Sequence, residues 1–280
     1  MRDNSVMTHT LLILGSGQDA GSPQVGTDGA GGPDRSASSI AVISDDGTVL
    51  VFDVSPDLRV QYQRLSTYCG YSPSLDGVFI THAHMGHYAG LLHFGKEAAA
   101  TEGLPLFAQE SVLGFLGENE PWATLFTNGN LVPVALDDAA ATLGEVTVST
   151  VPVPHRAEFT ETVGYSIAID SIPWVFYVPD IDGWGEWPEA EEVLARHKVC
   201  LLDATFSTPD ELPGRDIAAI KHPLVSDTIE RFRHLTPGRT MILTHINHSN
   251  PLGQADADIT IRARELGFTI AYDGLVVDHG

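Results

Sequence analysis

The chain has 280 residues, 43% of them hydrophobic, and its 37 acidic and 15 basic side chains give a formal net charge of -22. That length and apolar content are ample for a buried core in one large domain or two small ones. The acidic surplus would repel a phosphate backbone, which argues against nucleic acid as a partner. No stretch approaches the roughly 18 uncharged apolar residues of a membrane span, and the N-terminus lacks a secretory signal pattern, so the cytoplasm is the expected location.

Strand-like and helix-like segments alternate along the first half of the chain. A Gly- and Ser-rich stretch from Gly15 to Ser38 has no apolar period and is predicted to be a long loop. The predicted strands cover residues 8–14, 38–44, 48–54, 77–82, 104–108 and 131–136. The predicted helices cover residues 56–66 and 87–100.

The second half repeats this alternation. Its predicted strands cover residues 146–153, 164–170, 173–179, 199–204, 240–245 and 268–277. Its predicted helices cover residues 189–196, 224–235 and 255–266. Two successive halves of this kind predict two sheets packed face to face with helices outside. No linker separates them, so we expect a single domain over residues 1–280, with residues 1–7 lying outside it without fixed structure.

Polar side chains that bind metals follow several of the predicted strands. The stretch ITHAHMGH places three histidines within six positions, directly after an apolar run. Further along the chain, single polar residues end three other apolar runs. The full set is His82, His84, His87, His155, Asp180 and His245. Strand ends meet at one rim in layered folds, so these side chains are expected to converge.

A metal site in this chain must be built from nitrogen and oxygen donors. The chain has two cysteines, Cys69 and Cys200, which are too few for a cysteine zinc site or a disulfide framework. Neutral imidazole and carboxylate are ordinary ligands of zinc, iron and manganese. The sequence therefore predicts one or two bound divalent ions.

These residues, in this order, resemble the metallo-β-lactamase superfamily. The resemblance implies an α/β fold, the four-layer αβ/βα sandwich of that superfamily. It also implies that His82, His84 and His155 hold one metal, that His87, Asp180 and His245 surround a second, and that Asp180 bridges the two. Asp53, in VLVFDV, resembles the buried carboxylate that orients a ligand in such sites.

Flanking motifs resemble the PqqB-like and ribonuclease-Z-like branch more narrowly. They are GSGQDAGSPQVG, DATFSTPDEL, KHPLVSD and THINHSNPL. The relatives in that branch imply a catalytic pair, Asp203 and His222, in which the carboxylate orients a histidine that donates a proton to the leaving oxygen. Simple capping is an equally good interpretation of these two residues.

Gly86 departs from the superfamily pattern, which carries an aspartate at that position as a ligand of the second metal. The second site is then expected to be one carboxylate short. Two histidines and one carboxylate remain, a ligand set known from non-haem iron centres. Our hypothesis is that the His82, His84 and His155 site fills first with Zn²⁺, and that the second site is weaker or prefers Fe²⁺ or Mn²⁺.

The sequence favours a metal-dependent hydrolase of a small ester, above all a phosphodiester or cyclic phosphate. A hydroxide on the metal would attack and Asp180 would position it. Three alternatives stay open, namely a PqqB-like iron oxygenase, a lactonase and a non-catalytic metal-binding scaffold. The expected partner is a small-molecule substrate, with neither nucleic acid nor membrane, and a homodimer is an open possibility. Substrate choice is expected to lie in residues 15–38, 118–129 and 184–187, where Trp184 and Trp187 either wall a pocket or pack on a helix.

Overall fold

The computed structural model describes residues 9–27, 32–137, 139–212, 214 and 220–279. Within these ranges, seven strands form the first of two sheets: β1 (Thr10–Gly15), β2 (Ser39–Ile43), β3 (Val49–Phe52), β4 (Gly77–Phe79), β5 (Leu104–Ala108), β6 (Leu131–Ala135) and β14 (Val276–Asp278). Their order across the sheet is β14-β1-β2-β3-β4-β5-β6. The prediction about residues 1–7 lies outside the described residues.

The second sheet mirrors the first in its plan. Its seven strands in the described chain are β7 (Ala141–Leu143), β8 (Val146–Pro152), β9 (Val163–Ile169), β10 (Ile172–Val178), β11 (Val199–Asp203), β12 (Thr240–Thr244) and β13 (Phe268–Ile270). Their order is β13-β12-β11-β10-β9-β8-β7. In each sheet one part is antiparallel and the rest is parallel, with parallel pairing from β3 to β6 and from β10 to β13.

Helices follow the strands of the parallel parts, because parallel neighbours need a crossover connection. They are α1 (Leu58–Cys69), α2 (Met85–Tyr88), α3 (Glu110–Glu118), α4 (Trp122–Thr127), α5 (Ala190–Ala195), α6 (Val225–Phe232) and α7 (Asp258–Glu265). Short 3₁₀ turns lie at Ala89–Phe94, Trp184–Glu186 and Arg233–Leu235. Across the described residues, every helix is too short or too polar to cross a lipid bilayer.

Three apolar clusters hold the layers together. One lies between the two sheets and draws on both of them, with Phe52 and Phe79 from the first and Tyr165 and Leu201 from the second. A second cluster joins the first sheet to α1, α3 and α4, and a third joins the second sheet to α5, α6 and α7. The layers therefore run helix, sheet, sheet, helix, which confirms the predicted four-layer αβ/βα sandwich.

The structure differs from the predicted elements in several places. The single strand predicted over residues 268–277 is wrong, because these residues divide between β13 in the second sheet and β14 in the first. The helix predicted over residues 87–100 is wrong in extent, because the helical turns end at Phe94 and Gly95 has an extended backbone. Residues 118–129, expected to help choose the substrate, are not a loop throughout, because half of them belong to α4. The helix α3 was not predicted, because its glycines obscure the apolar face formed by Val112 and Leu116.

Trp184 and Trp187 pack in the core, and Trp184 also lines a cavity of about 570 Å³ that His222 borders. Their exposed fractions are 3% and 5%. Trp184 Nε1 donates a hydrogen bond to Thr228 Oγ1 on α6 at 2.7 Å, and its ring meets Phe232 edge to face. Both interpretations open at the sequence level hold for Trp184, which packs on α6 and lines the cavity, whereas Trp187 packs in the core.

Phe79 is the last residue of β4, the strand that leads to the histidine cluster. We expect protein stability to be most sensitive to substitution at this position of the strand. Its ring stacks on Phe52 at 4.7 Å and on Phe107 at 4.6 Å between ring centroids, and it is fully buried. We expect Phe79→Ala to lower the free energy of unfolding by about 3–5 kcal/mol, measured by urea denaturation. The control Phe159→Ala, at an exposed ring, should change it by about 0.5 kcal/mol or less. Equal losses in the two variants would contradict this.

Candidate metal centre

The six predicted ligands converge at one end of the two sheets. His82 and His84 follow β4 directly, and His87 lies one turn later in α2. Asp180 follows β10 and His245 follows β12, while His155 lies in the segment after β8. All six are buried, with exposed fractions of 8% or less. Convergence at the carboxyl ends of strands therefore occurs as the sequence predicts, and the role of each residue as a ligand stays a prediction.

Three histidines and Asp180 form the first ligand group. The four donor atoms, one from each of His82, His84, His155 and Asp180, lie within 4.8 Å of one another. His84 Nδ1 lies 2.8 Å from His82 Nε2 and 3.2 Å from His155 Nε2. Ligand atoms at about 2.0–2.1 Å from a tetrahedral zinc would lie about 3.3 Å apart. The spacing of this group therefore fits a single tetrahedral ion.

A second group shares Asp180 with the first. It consists of Asp19, His87, Asp180 and His245, whose donor atoms also lie within 4.8 Å of one another. Asp19 Oδ1 lies 3.2 Å from His87 Nε2 and 3.6 Å from His245 Nε2. The sequence predicted Asp180 as the one carboxylate of this site, but the loop after β1 also places the carboxylate of Asp19 in the group. A carboxylate in a glycine-rich loop gave no signal in the sequence.

Two threonines that the sequence reasoning missed set the orientation of the histidine rings. Thr81 Oγ1 donates to Asp53 at 3.0 Å and lies 3.0 Å from His82 Nδ1. Because the hydroxyl has one proton, it must accept from the ring, which leaves His82 Nε2 free for a metal. Asp53 also accepts from His87 Nδ1 at 2.8 Å. The predicted orienting role of Asp53 agrees with these contacts.

The same arrangement occurs in the second sheet. Thr205 Oγ1 donates to Asp203 Oδ1 at 2.6 Å and lies 2.9 Å from His245 Nδ1. His245 Nε2 is therefore left free toward Asp19 and Asp180. His245 has a φ of 58°, and Asp53 has the same value. Such left-handed backbone is costly for residues other than glycine and is typical of functional sites.

Asp203 and His222 form a buried pair beside the two ligand groups. His222 Nδ1 donates to Asp203 Oδ2 at 2.8 Å and lies 3.2 Å from Asp180 Oδ1. Burial alone would lower the pKa of His222, but the carboxylates of Asp203 and Asp180 raise it to about 9. These residues, with Asp180 and His245, also form a third group of potential metal ligands. The structure thus brings the predicted catalytic pair together at the site.

Asp182 supports the first group from outside it. Its Oδ1 lies 3.0 Å from His155 Nδ1 and accepts the backbone N–H of Arg156 at 3.0 Å. His155 Nε2 then faces Asp180 Oδ2 at 3.2 Å. Asp182 lies two positions after a predicted ligand, and that spacing alone does not distinguish it from a turn residue.

Several buried atoms of the centre have no hydrogen-bond partner in the described structure. They are Asp19 Oδ1, His87 Nε2, both carboxylate oxygens of Asp180, His222 Nε2 and His245 Nε2. Buried polar atoms are almost always hydrogen-bonded, and leaving them unpaired is costly. Burial alone would raise the pKa of Asp180, but the charges of His155, His222 and His245 hold it well below its usual range. Imidazole and anionic carboxylate donors left free in this way fit divalent cations.

The fold and these ligand groups define the class of protein, a layered αβ/βα sandwich with a two-part metal centre at the strand ends. A family model described as the Beta-lactamase superfamily domain matches residues 48–246. The chain belongs to this superfamily, so the membership predicted from its motifs is confirmed.

Three similar proteins cover nearly the whole chain. Coenzyme PQQ synthesis protein B of Gluconacetobacter diazotrophicus is 26% identical over 95% of this chain and 98% of its own length. The crystal structure of Zn²⁺-bound PqqB from Methylobacterium extorquens has a TM-score of 0.77 at 21% identity, covering 96% of this chain and 99% of that one. The structure of a diphosphatase from the PhnP family has a TM-score of 0.71 at 25% identity, with 97% of both chains covered.

Removal of metal should destabilise the protein, because it leaves the imidazole and carboxylate donors unpaired in the interior. Ligand at 100 times its dissociation constant adds about 2.7 kcal/mol per site. We therefore expect chelation to lower Tm by several degrees, and Zn²⁺, Mn²⁺ or Fe²⁺ to restore it, measured by differential scanning fluorimetry. His155→Ala should lose much of this metal-dependent increment, whereas His234→Ala, at an exposed ring, should keep it. A Tm that is indifferent to chelation would contradict the assignment.

Proposed function

We propose that this protein is a metal-dependent hydrolase of a small ester, above all a phosphodiester or a cyclic phosphate. The observation that carries the proposal is that Asp180 belongs to two adjacent ligand groups at once. A carboxylate shared in this way suits two cations held close together. Such pairs are typical of enzymes that displace an oxygen at phosphorus or carbon.

The chain offers ligands for both ions. His82, His84 and His155 would hold one, for which Zn²⁺ is the proposed ion, with His87 and His245 on the other side of Asp180. When bound, the metals would supply an activated water and positive charge against the developing oxyanion. Asp180, buried between the groups, would fix the position of the attacking oxygen.

Asp203 and His222 would deliver the proton that the leaving oxygen needs. Thr205 and the backbone N–H of Ile181 fix Asp203, since each donates to it. Asp203 in turn holds His222 Nδ1, so that Nε2 is the atom free to donate. His222 also lines a cavity of about 570 Å³, a size suited to a small molecule. A larger cavity of about 870 Å³ beside α1 contains none of the ligand residues.

Likeness to the PhnP-family diphosphatase supports phosphorus chemistry for this site, at 25% identity over nearly the full length. The expected partner is correspondingly a small molecule and not a nucleic acid, because the chain carries a net charge of -22. A location in the cytoplasm and a homodimeric state remain proposals that the site does not depend on.

A proton donor matters most when the leaving group is a poor one. We expect His222→Ala to lower kcat about 10²–10⁴-fold for a cyclic phosphate, whose leaving group is an alkoxide. The loss should be under about 10-fold for bis(4-nitrophenyl) phosphate, whose nitrophenolate leaves without a proton. His234→Ala serves as the matched control and should leave both rates unchanged. An equal loss on both substrates would remove the role of His222 as general acid.

The second candidate is an oxidative step in cofactor synthesis. The observation that favours it is likeness to Coenzyme PQQ synthesis protein B along 95% of the chain. The second ligand group nevertheless contains two carboxylates, Asp19 and Asp180, and not the single one of the iron centres considered at the sequence level. Oxygen consumption by the iron-loaded protein, without turnover of esters, phosphodiesters or lactones, would favour this candidate. Lactone turnover alone would favour a lactonase, and no turnover at full metal occupancy would favour a scaffold.

An aromatic surface borders the first ligand group and would contact the organic part of the substrate. Phe159 is 60% exposed, and its ring lies edge to face with His84 at 6.3 Å between centroids. Behind it, Phe115 lies 5.6 Å from Phe159 and 5.5 Å from Tyr88. An exposed ring held beside a metal ligand is suited to stacking on a base or another flat group.

Substrates with an aromatic part should therefore depend on Phe159. Loss of one stacking contact costs about 1–3 kcal/mol. We expect Phe159→Ala to raise KM about 5- to 100-fold for an aromatic substrate such as a cyclic nucleotide, with little change in kcat. Ile172→Ala, at a side chain that is 62% exposed on β10, is the control and should have no effect. The same KM in both variants would show that Phe159 does not touch the substrate.

A further inference from the structure

The loop after β1 places one carboxylate inside the second ligand group. Asp19 Oδ1 faces the free Nε2 atoms of His87 and His245 at 3.2 and 3.6 Å. None of these three atoms has a hydrogen-bond partner in the described part of the chain. Asp19 thus directs a carboxylate oxygen at two unpartnered imidazole nitrogens.

Gly86 provides a second and independent observation. A Cβ added at Gly86 would lie 2.3 Å from Asp19 Oδ1 and 2.4 Å from Asp19 Cα. The backbone of Gly86 has no positive φ, so its conformation does not require glycine. Glycine within a helix costs about 1 kcal/mol relative to alanine. Space for Asp19 is therefore the physical reason for glycine at this position.

The loop is anchored on both sides of Asp19, independently of any ion. Gln18 donates its backbone N–H to Ile246 O at 3.0 Å, next to His245. Asp273 accepts from Ser16 Oγ at 2.8 Å and from the backbone N–H of Ser36 at 2.8 Å. The buried guanidinium of Arg35 also donates to Ser16 Oγ at 2.8 Å. Asp19 is thus held in place by contacts that belong to the fold.

We propose that Asp19 is a ligand of the second metal ion and that Gly86 is glycine in order to admit it. The carboxylate of this site then comes from the loop, 67 positions before the α2 residue whose side chain would fill the same space. The inference rests on the proposed metal centre but not on the reaction. A failure to find hydrolysis would therefore leave it standing, whereas the metal measurements below test it directly.

The first test counts ions and measures their affinities. Wild-type protein should hold two divalent ions per chain, measured by inductively coupled plasma mass spectrometry and by titration of the metal-free protein with Zn²⁺. Asp19→Asn keeps the shape of the side chain but removes its charge. It should keep one tight ion and bind the second at least about 100-fold more weakly, since even residues behind the ligands contribute 10- to 100-fold. Asp34→Asn, the same change at an exposed position of the same loop, should bind both ions as the wild type does.

The second test moves the carboxylate. Gly86→Asp alone should lose the second ion, because two side chains then compete for one space. Asp19→Gly alone should lose it for lack of a ligand. The double variant Asp19→Gly/Gly86→Asp should regain it, since a carboxylate at position 86 lies where Asp19 was. Circular dichroism and the retained first ion report that each variant is folded.

Two results would overturn the inference. One is an Asp19→Asn variant that binds both ions with wild-type affinity. The other is a wild-type protein that holds one ion per chain with an affinity that Asp19→Asn does not change. The absorption spectrum of the Co²⁺-loaded protein gives a further readout, because the intensity of its visible bands depends on the number and type of ligands at each site.

Discussion

The structure depends on one buried carboxylate that six histidine rings surround. Asp180 is 1% exposed, and neither of its oxygens has a hydrogen-bond partner among the described residues. Its oxygens lie between 3.2 and 3.9 Å from ring nitrogens of His82, His84, His87, His155, His222 and His245. A buried carboxylate anion is stable only when positive charge lies beside it, because burial removes its hydration. The strand ends therefore meet at a site that favours bound cations. Both ligand groups are consequences of that single constraint.

The same hydrogen-bond arrangement orients a histidine ring at the end of each sheet. In each, a carboxylate near a strand end accepts from a threonine hydroxyl, and the hydroxyl accepts from a ligand histidine. The chains of contact are Asp53–Thr81–His82 and Asp203–Thr205–His245. Each relay fixes the ring and leaves the metal-facing nitrogen bare, which lowers the cost of ordering the site when an ion binds. The fold therefore prepares the centre before any metal arrives.

The sequence was sufficient to predict the strands with a clear apolar pattern and the polar residues that follow them. Apolar runs located most strands to within one or two residues, and each histidine at the end of such a run lies at the centre. Elements without that signal were missed, such as α3, whose glycines break its apolar face. Asp19 was missed for a related reason, since a carboxylate among glycines looks like an ordinary loop residue. Its place depends on Arg35 and Asp273, contacts that join distant parts of the chain and leave no local pattern.

The position of Asp19 in the sequence determines when the entropic cost of ordering this proposed ligand is incurred. A ligand at position 86 would share a turn with His82, His84 and His87, so local structure alone would hold it. Asp19 lies in a separate loop, and closing such a loop costs entropy that grows slowly with its length. The hydrogen bonds from Ser16 and Ser36 to Asp273 order the loop during folding, before metal binds. The ion then has only to neutralise charges already assembled, so a ligand distant in sequence need not be a weak one.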